Sequence, residues 1–190
     1  GHETVVLEAQ QRVGGRVCTW REPFSDGLYA EVGAMRIPRS HELTMAYLDR
    51  FNVVTADFIM DNPNGWIYLH GTKRRIGDVL ADPASLGFEV AEHERGRTHS
   101  HLWTGAIKPL IDRLANDHVT AWGEIVRDYD AYSTREFLEA NNWSESAIEM
   151  FGLLADQEAL LNSSFLELLR EEAGRYNTDM VEIVGGMDHL

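Results

Sequence analysis

The sequence predicts a mixed α/β fold in which a block of helices interrupts a sheet, and three observations predict it. A β-branched apolar run, Thr4-Val5-Val6-Leu7-Glu8, passes straight into a glycine-rich loop. Beyond residue 100 the apolar positions recur with the spacing of one helix face. Strand-like sequence then returns at Met180-Val181-Glu182-Ile183-Val184, ahead of Gly185-Gly186. A chain of 190 residues that is 44% apolar and 25% charged carries enough hydrophobic material for a real core and reads as soluble and globular.

Residues 4–8 have the continuous apolar character of a strand buried on both faces of a parallel sheet, with Gly1-His2-Glu3 as the tail of a preceding helix. Ser40 reads as an N-cap for a helix whose stripe is Leu43, Tyr47, Leu48 and Phe51. Residues 58–60 and 66–69 read as two strands of a hairpin, joined by the turn Asp61-Asn62-Pro63-Asn64-Gly65. Leu102, Ala106, Leu110 and Leu114 then make a helical stripe, with Ile107 and Ile111 beside it. Ser133-Thr134-Arg135-Glu136 fits a capping box, in which serine oxygen and glutamate each satisfy a backbone N–H that has no partner inside the helix. Ser144 opens a further helix carrying Ile148, Phe151 and Leu154, and Ser163 or Ser164 opens another through Phe165, Leu168 and Leu169. This order describes a helical domain inserted into a nucleotide-binding sheet.

Charge and composition exclude several function classes. With 17 Lys and Arg against 31 Asp and Glu, the net charge of -14 disfavours a grip on nucleic acid or on an anionic lipid surface. Cys18 is the lone cysteine, so no internal disulfide forms, and no apolar run is long enough to span a membrane. The sequence assigns no compartment. His93, His99 and His101 fit no ligand motif, so no metal is expected. Trp66, Trp103, Trp122 and Trp143 are scattered instead of interleaved with basic residues, and are expected to pack. Arg170 reads as a solvated arginine near a helix end.

The residues that carry chemistry lie near the front. Glu8 closes the apolar run, where a dinucleotide fold places the acid that accepts hydrogen bonds from ribose hydroxyls. Gly14-Gly15 follows, allowing backbone to approach a ligand closely, and Arg16 adds a charge suited to pyrophosphate. The whole segment Leu7-Glu8-Ala9-Gln10-Gln11-Arg12-Val13-Gly14-Gly15-Arg16-Val17 resembles the second FAD-contacting segment of the flavin amine oxidases. Tyr29-Ala30-Glu31-Val32-Gly33-Ala34-Met35-Arg36-Ile37-Pro38 resembles the L-amino acid oxidase version of the stretch beneath the flavin ring. The segments 130–134 and 182–188 are similar to further landmarks of that family.

The resemblance implies a Rossmann-like FAD-binding domain with an inserted helical domain. Residues 1–56 would be a partial FAD-binding domain, 57–90 a substrate-binding region with the hairpin, 91–178 the helical domain and 179–190 a return to the FAD-binding domain. It implies FAD as cofactor, held by Glu8, Ala9, Gly14, Gly15, Arg16 and the stretch Gly33, Ala34, Met35 and Arg36. Arg36 would also bind the substrate carboxylate, because a guanidinium fork replaces the lost water bidentately in a fixed plane. The implied reaction is oxidation of an L-amino acid by molecular oxygen to a 2-oxo acid, ammonia and hydrogen peroxide. The alternatives are an amino acid 2-monooxygenase, a general amine oxidase, or a non-catalytic remnant or interaction module. A homodimer is compatible with the family. Only seven residues precede Glu8, so the usual glycine fingerprint roughly 20 residues ahead of the ribose acid is not in this sequence, and the chain is expected to be a fragment that needs its remaining segments.

Overall fold

The computed structural model describes residues 2–175 and 179–190. Gly1 and residues 176–178, the last of the expected helical domain, lie outside the described residues. In chain order the elements are β1 (Thr19–Trp20), β2 (Ala30–Glu31), β3 (Ile37–Pro38), α1 (Glu42–Arg50), β4 (Thr55–Asp57), β5 (Trp66–Leu69), β6 (Thr72–Arg75), α2 (Ile76–Ala81), α3 (His99–Asn116), α4 (His118–Tyr129), α5 (Thr134–Ala140), α6 (Glu145–Leu154), α7 (Phe165–Arg175) and β7 (Met180–Ile183). Short 3-10 turns link several of them. The chain divides into two compact units, Gly1–Met60 with Asn177–Leu190, and Asp61–Tyr176. The class is mixed α/β, and the helix-rich unit is inserted into the sequence of the other. Among the described residues no helix is long and apolar enough to cross a membrane.

In the first unit, β7 is the centre of a three-stranded antiparallel sheet, flanked by β3 and β4. Val181 lies opposite Ile37 on one side and Asp57 on the other, while Ile183 lies opposite Thr55. Ile37, Leu48, Val181, Ile183 and Met187 form its core, so the apolar strand read at Met180 supplies the middle of a sheet as well as its packing. Residues 4–8 do not form the expected strand. They have no regular structure, and Val5, Val6 and Leu7 are 78%, 81% and 91% exposed. A strand requires a neighbour to take its N–H and C=O groups, and among the described residues none pairs with this run. His2 and Glu3 are likewise not helical.

Helix α1 begins at Glu42 with His41 at its N-cap, one residue later than Ser40 would set it, because the chain first turns with the His41 N–H donating to the Pro38 carbonyl at 2.9 Å. Of its expected stripe only Leu48 is buried. Leu43, Tyr47 and Phe51 are exposed, and Tyr47 stacks on Phe51.

In the helix-rich unit the hairpin differs from expectation. Trp66–Leu69 pairs with Thr72–Arg75 instead of with residues 58–60. The connection is His70-Gly71, with φ of 49° and 75°, the left-handed pair that suits the twist of a two-residue hairpin loop. The 61–65 turn does form, closed by the Gly65 N–H to the Asn62 carbonyl at 2.8 Å, but it leads into the hairpin from outside. Trp66 is exposed and carries the Arg75 guanidinium 3.5 Å from its ring centroid, so it is a cation platform and not a packing residue.

The helices start where side chains cap them. Thr98, Asp117, Ser133 and Ser144 each accept a hydrogen bond from a backbone N–H three residues on. At α5 the capping box is complete, with the Ser133 N–H donating to Glu136 Oε2 at 2.8 Å. Trp103, Ile107, Leu110, Ile125, Phe137, Ile148, Phe151, Phe165 and Leu169 make one core. A second, smaller core of Val79, Leu86, Phe88, Leu102 and Met150 seats the inner face of the hairpin through Ile67 and Leu69.

Candidate cofactor and substrate site

The expected site residues all fall in the first unit, where the glycine loop is built by its own arginine. Gly14 and Gly15 have φ of 101° and 52°, which lets the chain reverse tightly. Arg12 braces the turn, donating to the carbonyls of Gly15 at 2.7 Å and Val17 at 3.0 Å. Sequence reading assigned Arg12 no role; its signal was a second arginine four residues before Arg16, on the other side of the glycines.

Arg16 and Gly33 are brought together. The Ala34 N–H donates to the Arg16 carbonyl at 3.1 Å, continuing the β1 and β2 pairing in which the Val32 N–H donates to the Cys18 carbonyl at 3.0 Å. A Cβ on Gly33 would stand 2.1 Å from the Arg16 oxygen, so only glycine permits this approach. Gly33→Ala is expected to force the two segments apart at a cost of roughly 1 to 3 kcal/mol or more. Limited proteolysis between Arg12 and Arg36 measures it, and wild-type resistance in the variant would contradict the close packing.

Arg36 follows directly, half-buried at the start of β3. Its guanidinium lies over the Phe58 ring at 5.7 Å and makes a long contact of 3.7 Å with Met35 Sδ. It makes no salt bridge with a carboxylate of the described residues. Ala34 and Met35 are exposed. Glu8 and Ala9 are exposed too, and Glu8 Oε1 accepts the Gln10 N–H at 2.7 Å, a local bond that does not tie it to the glycine loop.

A polar network missed by the sequence reading locks this region to the end of the chain. Glu31 accepts the Thr19 hydroxyl at 2.8 Å and the Met187 N–H at 2.8 Å. Arg21 grips Asp188 with both nitrogens, at 2.7 and 2.9 Å, and donates to the Gly185 carbonyl at 2.8 Å. Gly186 has φ of 122°, and a Cβ there would meet Asp188, Thr19 and Arg21. Hydrogen bonding from Arg21 lowers the Asp188 carboxyl from 3.8 to about 2, with Thr19 adding to the effect. A depressed carboxylate pKa stabilises the fold above the unfolded value and stops doing so as pH falls through the folded one. The first unit should therefore lose stability between about pH 4 and about pH 2. Asp188→Asn should flatten that part of an acid-unfolding curve, and an unchanged curve would deny Asp188 the role.

The groups expected to hold a dinucleotide keep the capacity to do so. Glu8 presents a free acceptor for ribose hydroxyls, exposed Arg16 makes no salt bridge with a described carboxylate, and the Gly14-Gly15 turn admits close backbone approach. Comparison with known proteins specifies the family. Residues 1–183 match the family of flavin containing amine oxidoreductases. The chain is 38% identical over its whole length to "Putative L-amino-acid oxidase YobN" of Bacillus subtilis, covering 40% of that protein. It is 34% identical to the L-amino-acid oxidase of Naja atra and 33% identical to that of Cerastes cerastes, again over its whole length, covering 37% and 36% of them. The chain belongs to the flavin-containing amine oxidoreductases, a flavoprotein family, and FAD is its cofactor. It spans about two fifths of the length of these relatives.

Among the described residues no three His, Cys, Asp or Glu side chains gather as a metal site. Arg170 pairs with Glu167 on the exposed face of α7.

Proposed function

We propose that the protein containing this chain oxidises L-amino acids, releasing a 2-oxo acid, ammonia and hydrogen peroxide. The observation that carries the reading is Arg36. It is a guanidinium packed on Phe58, with no salt bridge to a described carboxylate, adjoining the Gly33 to Met35 backbone. A cation held by an aromatic face keeps its in-plane N–H donors free for an outside carboxylate. Arg36 would take the substrate carboxylate in its fork and so fix the α-carbon's position. Glu8 would hold the ribose and Arg16 the pyrophosphate. When bound, FAD supplies the acceptor for the hydride leaving the α-carbon, and oxygen restores it with formation of peroxide. Water then hydrolyses the imino acid.

Two measurements bear on this. Product analysis of the full-length protein with an L-amino acid should give the 2-oxo acid. An amide with carbon dioxide would make it a monooxygenase, and turnover of simple amines alone would make it a general amine oxidase. Glu8→Gln should weaken FAD affinity by about 1 to 2 kcal/mol, since a neutral acceptor replaces a charged one, with turnover per bound flavin unchanged. An unaltered flavin dissociation constant would reduce Glu8 to a surface acid.

A further inference from the structure

The helix-rich unit holds a cavity of about 480 Å³ whose lining contains none of the residues assigned above to the flavin or the substrate carboxylate. Cavities of roughly 300 to 1,000 Å³ are the size that takes small molecules. Its floor is apolar: Phe88 and Met150 are buried in the second core, with Val90 beside them. Its rim carries Arg95 and Arg97, on either side of Gly96, and Glu89.

Neither arginine is at salt-bridge distance from a carboxylate of the described residues. The only hydrogen bond from either side chain among those residues is a long one, Arg97 Nη2 to the His101 carbonyl at 3.4 Å. The rim is nonetheless held in place from below. Glu94, 1% exposed, accepts the Ser144 N–H at 2.8 Å, the Ser144 hydroxyl, and the Ala91 N–H at 2.8 Å, which pins the segment to the cap of α6. The Arg97 N–H donates to the Glu94 carbonyl at 3.1 Å, and Gly96 takes φ of 71° so that the chain can turn between the two arginines. A concave apolar floor beside two arginines carried on an anchored backbone segment spares a ligand the cost of ordering that segment.

We propose that this cavity binds a small monocarboxylate with an apolar or aromatic body. The two guanidinium groups supply donors for a carboxylate, and the apolar floor requires an apolar body beside it; an anion without one, such as phosphate, gains nothing from Phe88 and Met150. The apolar body displaces water from the floor, and the carboxylate takes the guanidinium N–H donors.

The test is a titration of the full-length protein, followed by NMR, with sodium phenylacetate, and with sodium phosphate and the neutral 2-phenylethanol as parallel probes. Phenylacetate should bind saturably with about millimolar affinity, moving the backbone signals of Val90, Gly96 and Arg97. The other two probes should bind at least about ten-fold more weakly. Arg95→Gln with Arg97→Gln should weaken phenylacetate by ten-fold or more, and Arg95→Gln alone, at an exposed position, by a smaller factor. Arg36→Ala should leave these signals and this affinity unchanged. Phosphate binding as tightly as phenylacetate, an unaffected double variant, loss of binding on Arg36→Ala, or absence of saturable shifts at Val90, Gly96 and Arg97 would each overturn the proposal.

Discussion

In the full-length protein, Arg36→Ala is expected to cut catalytic efficiency toward an L-amino acid by several hundred-fold or more while flavin stays bound. A carboxylate brought against a half-buried guanidinium leaves most of its water behind, so removing the arginine strands the anion. The cost is about 3 to 5 kcal/mol in transition-state binding. The packing of Arg36 refines the expectation. Its guanidinium carbon lies 5.7 Å from the Phe58 ring centroid, and lysine would keep the charge but lose the fork. Arg36→Lys should therefore fall between wild type and Arg36→Ala. An amine without a carboxylate never uses the fork, so both variants should oxidise it at the wild-type rate. Peroxide release from an L-amino acid and from its decarboxylated amine gives the comparison. Equal losses on the two, or no loss on the amino acid, would remove Arg36 from carboxylate binding and return the protein to a general amine oxidase.

What sequence reading captured is what depends on near neighbours. The capping box at Ser133 and Glu136 and the cap at Ser144 are local hydrogen-bond problems that the spacing already solves. The stripe through Leu102, Leu110 and Leu114 marks the buried face of α3 for the same reason. Residues 4–8 show the limit. Their β-branched run has strand propensity, but a strand exists only with a partner, and propensity does not supply one. The hairpin fails at the level of pairing. The 61–65 turn was legible, yet His70-Gly71 closes the strands, and histidine at φ of 49° is an unusual occupant of that turn. Helix α4 was missed because its buried face is thin, with only Ala121 and Ile125 fully inside.

The site divides in the same way. Glu8, Gly14, Gly15, Arg16 and Arg36 are recognisable as residue types in a short stretch. The reason Gly33 must be glycine is a contact with a carbonyl 17 residues earlier, and the Arg21 to Asp188 pair joins positions 167 apart. Such long-range contacts exist only once the chain has folded. The exposure of Leu43, Tyr47 and Phe51 on α1 belongs here as well, since periodicity identifies an apolar face without naming what covers it.

The largest stability effect is expected at Phe137. Its ring stacks on Phe165 with centroids 3.7 Å apart and planes 9° from parallel, and it meets Tyr129 and Trp103 edge-on at 5.7 and 6.5 Å. Phe137 and Phe165 are 1% and 0% exposed, so α5 and α7 are joined through a contact that water does not reach. Phe137→Ala removes the ring and leaves a void whose walls, Phe165 and Trp103, are too rigid to close it. The loss is about 3 to 5 kcal/mol, a large fraction of the stability of an ordinary domain. Phe137→Leu keeps most of the volume but forfeits the stack, and should lose about 1 to 2 kcal/mol. Val119→Ala, at an exposed position of α4, should stay within about 0.5 kcal/mol of wild type. Urea unfolding followed by the fluorescence of Trp103, Trp122 and Trp143, all packed in or against this core, reports the three variants on one scale. If Phe137→Ala unfolded at the same urea concentration as Val119→Ala, the aromatic stack would not be what holds α5 to α7.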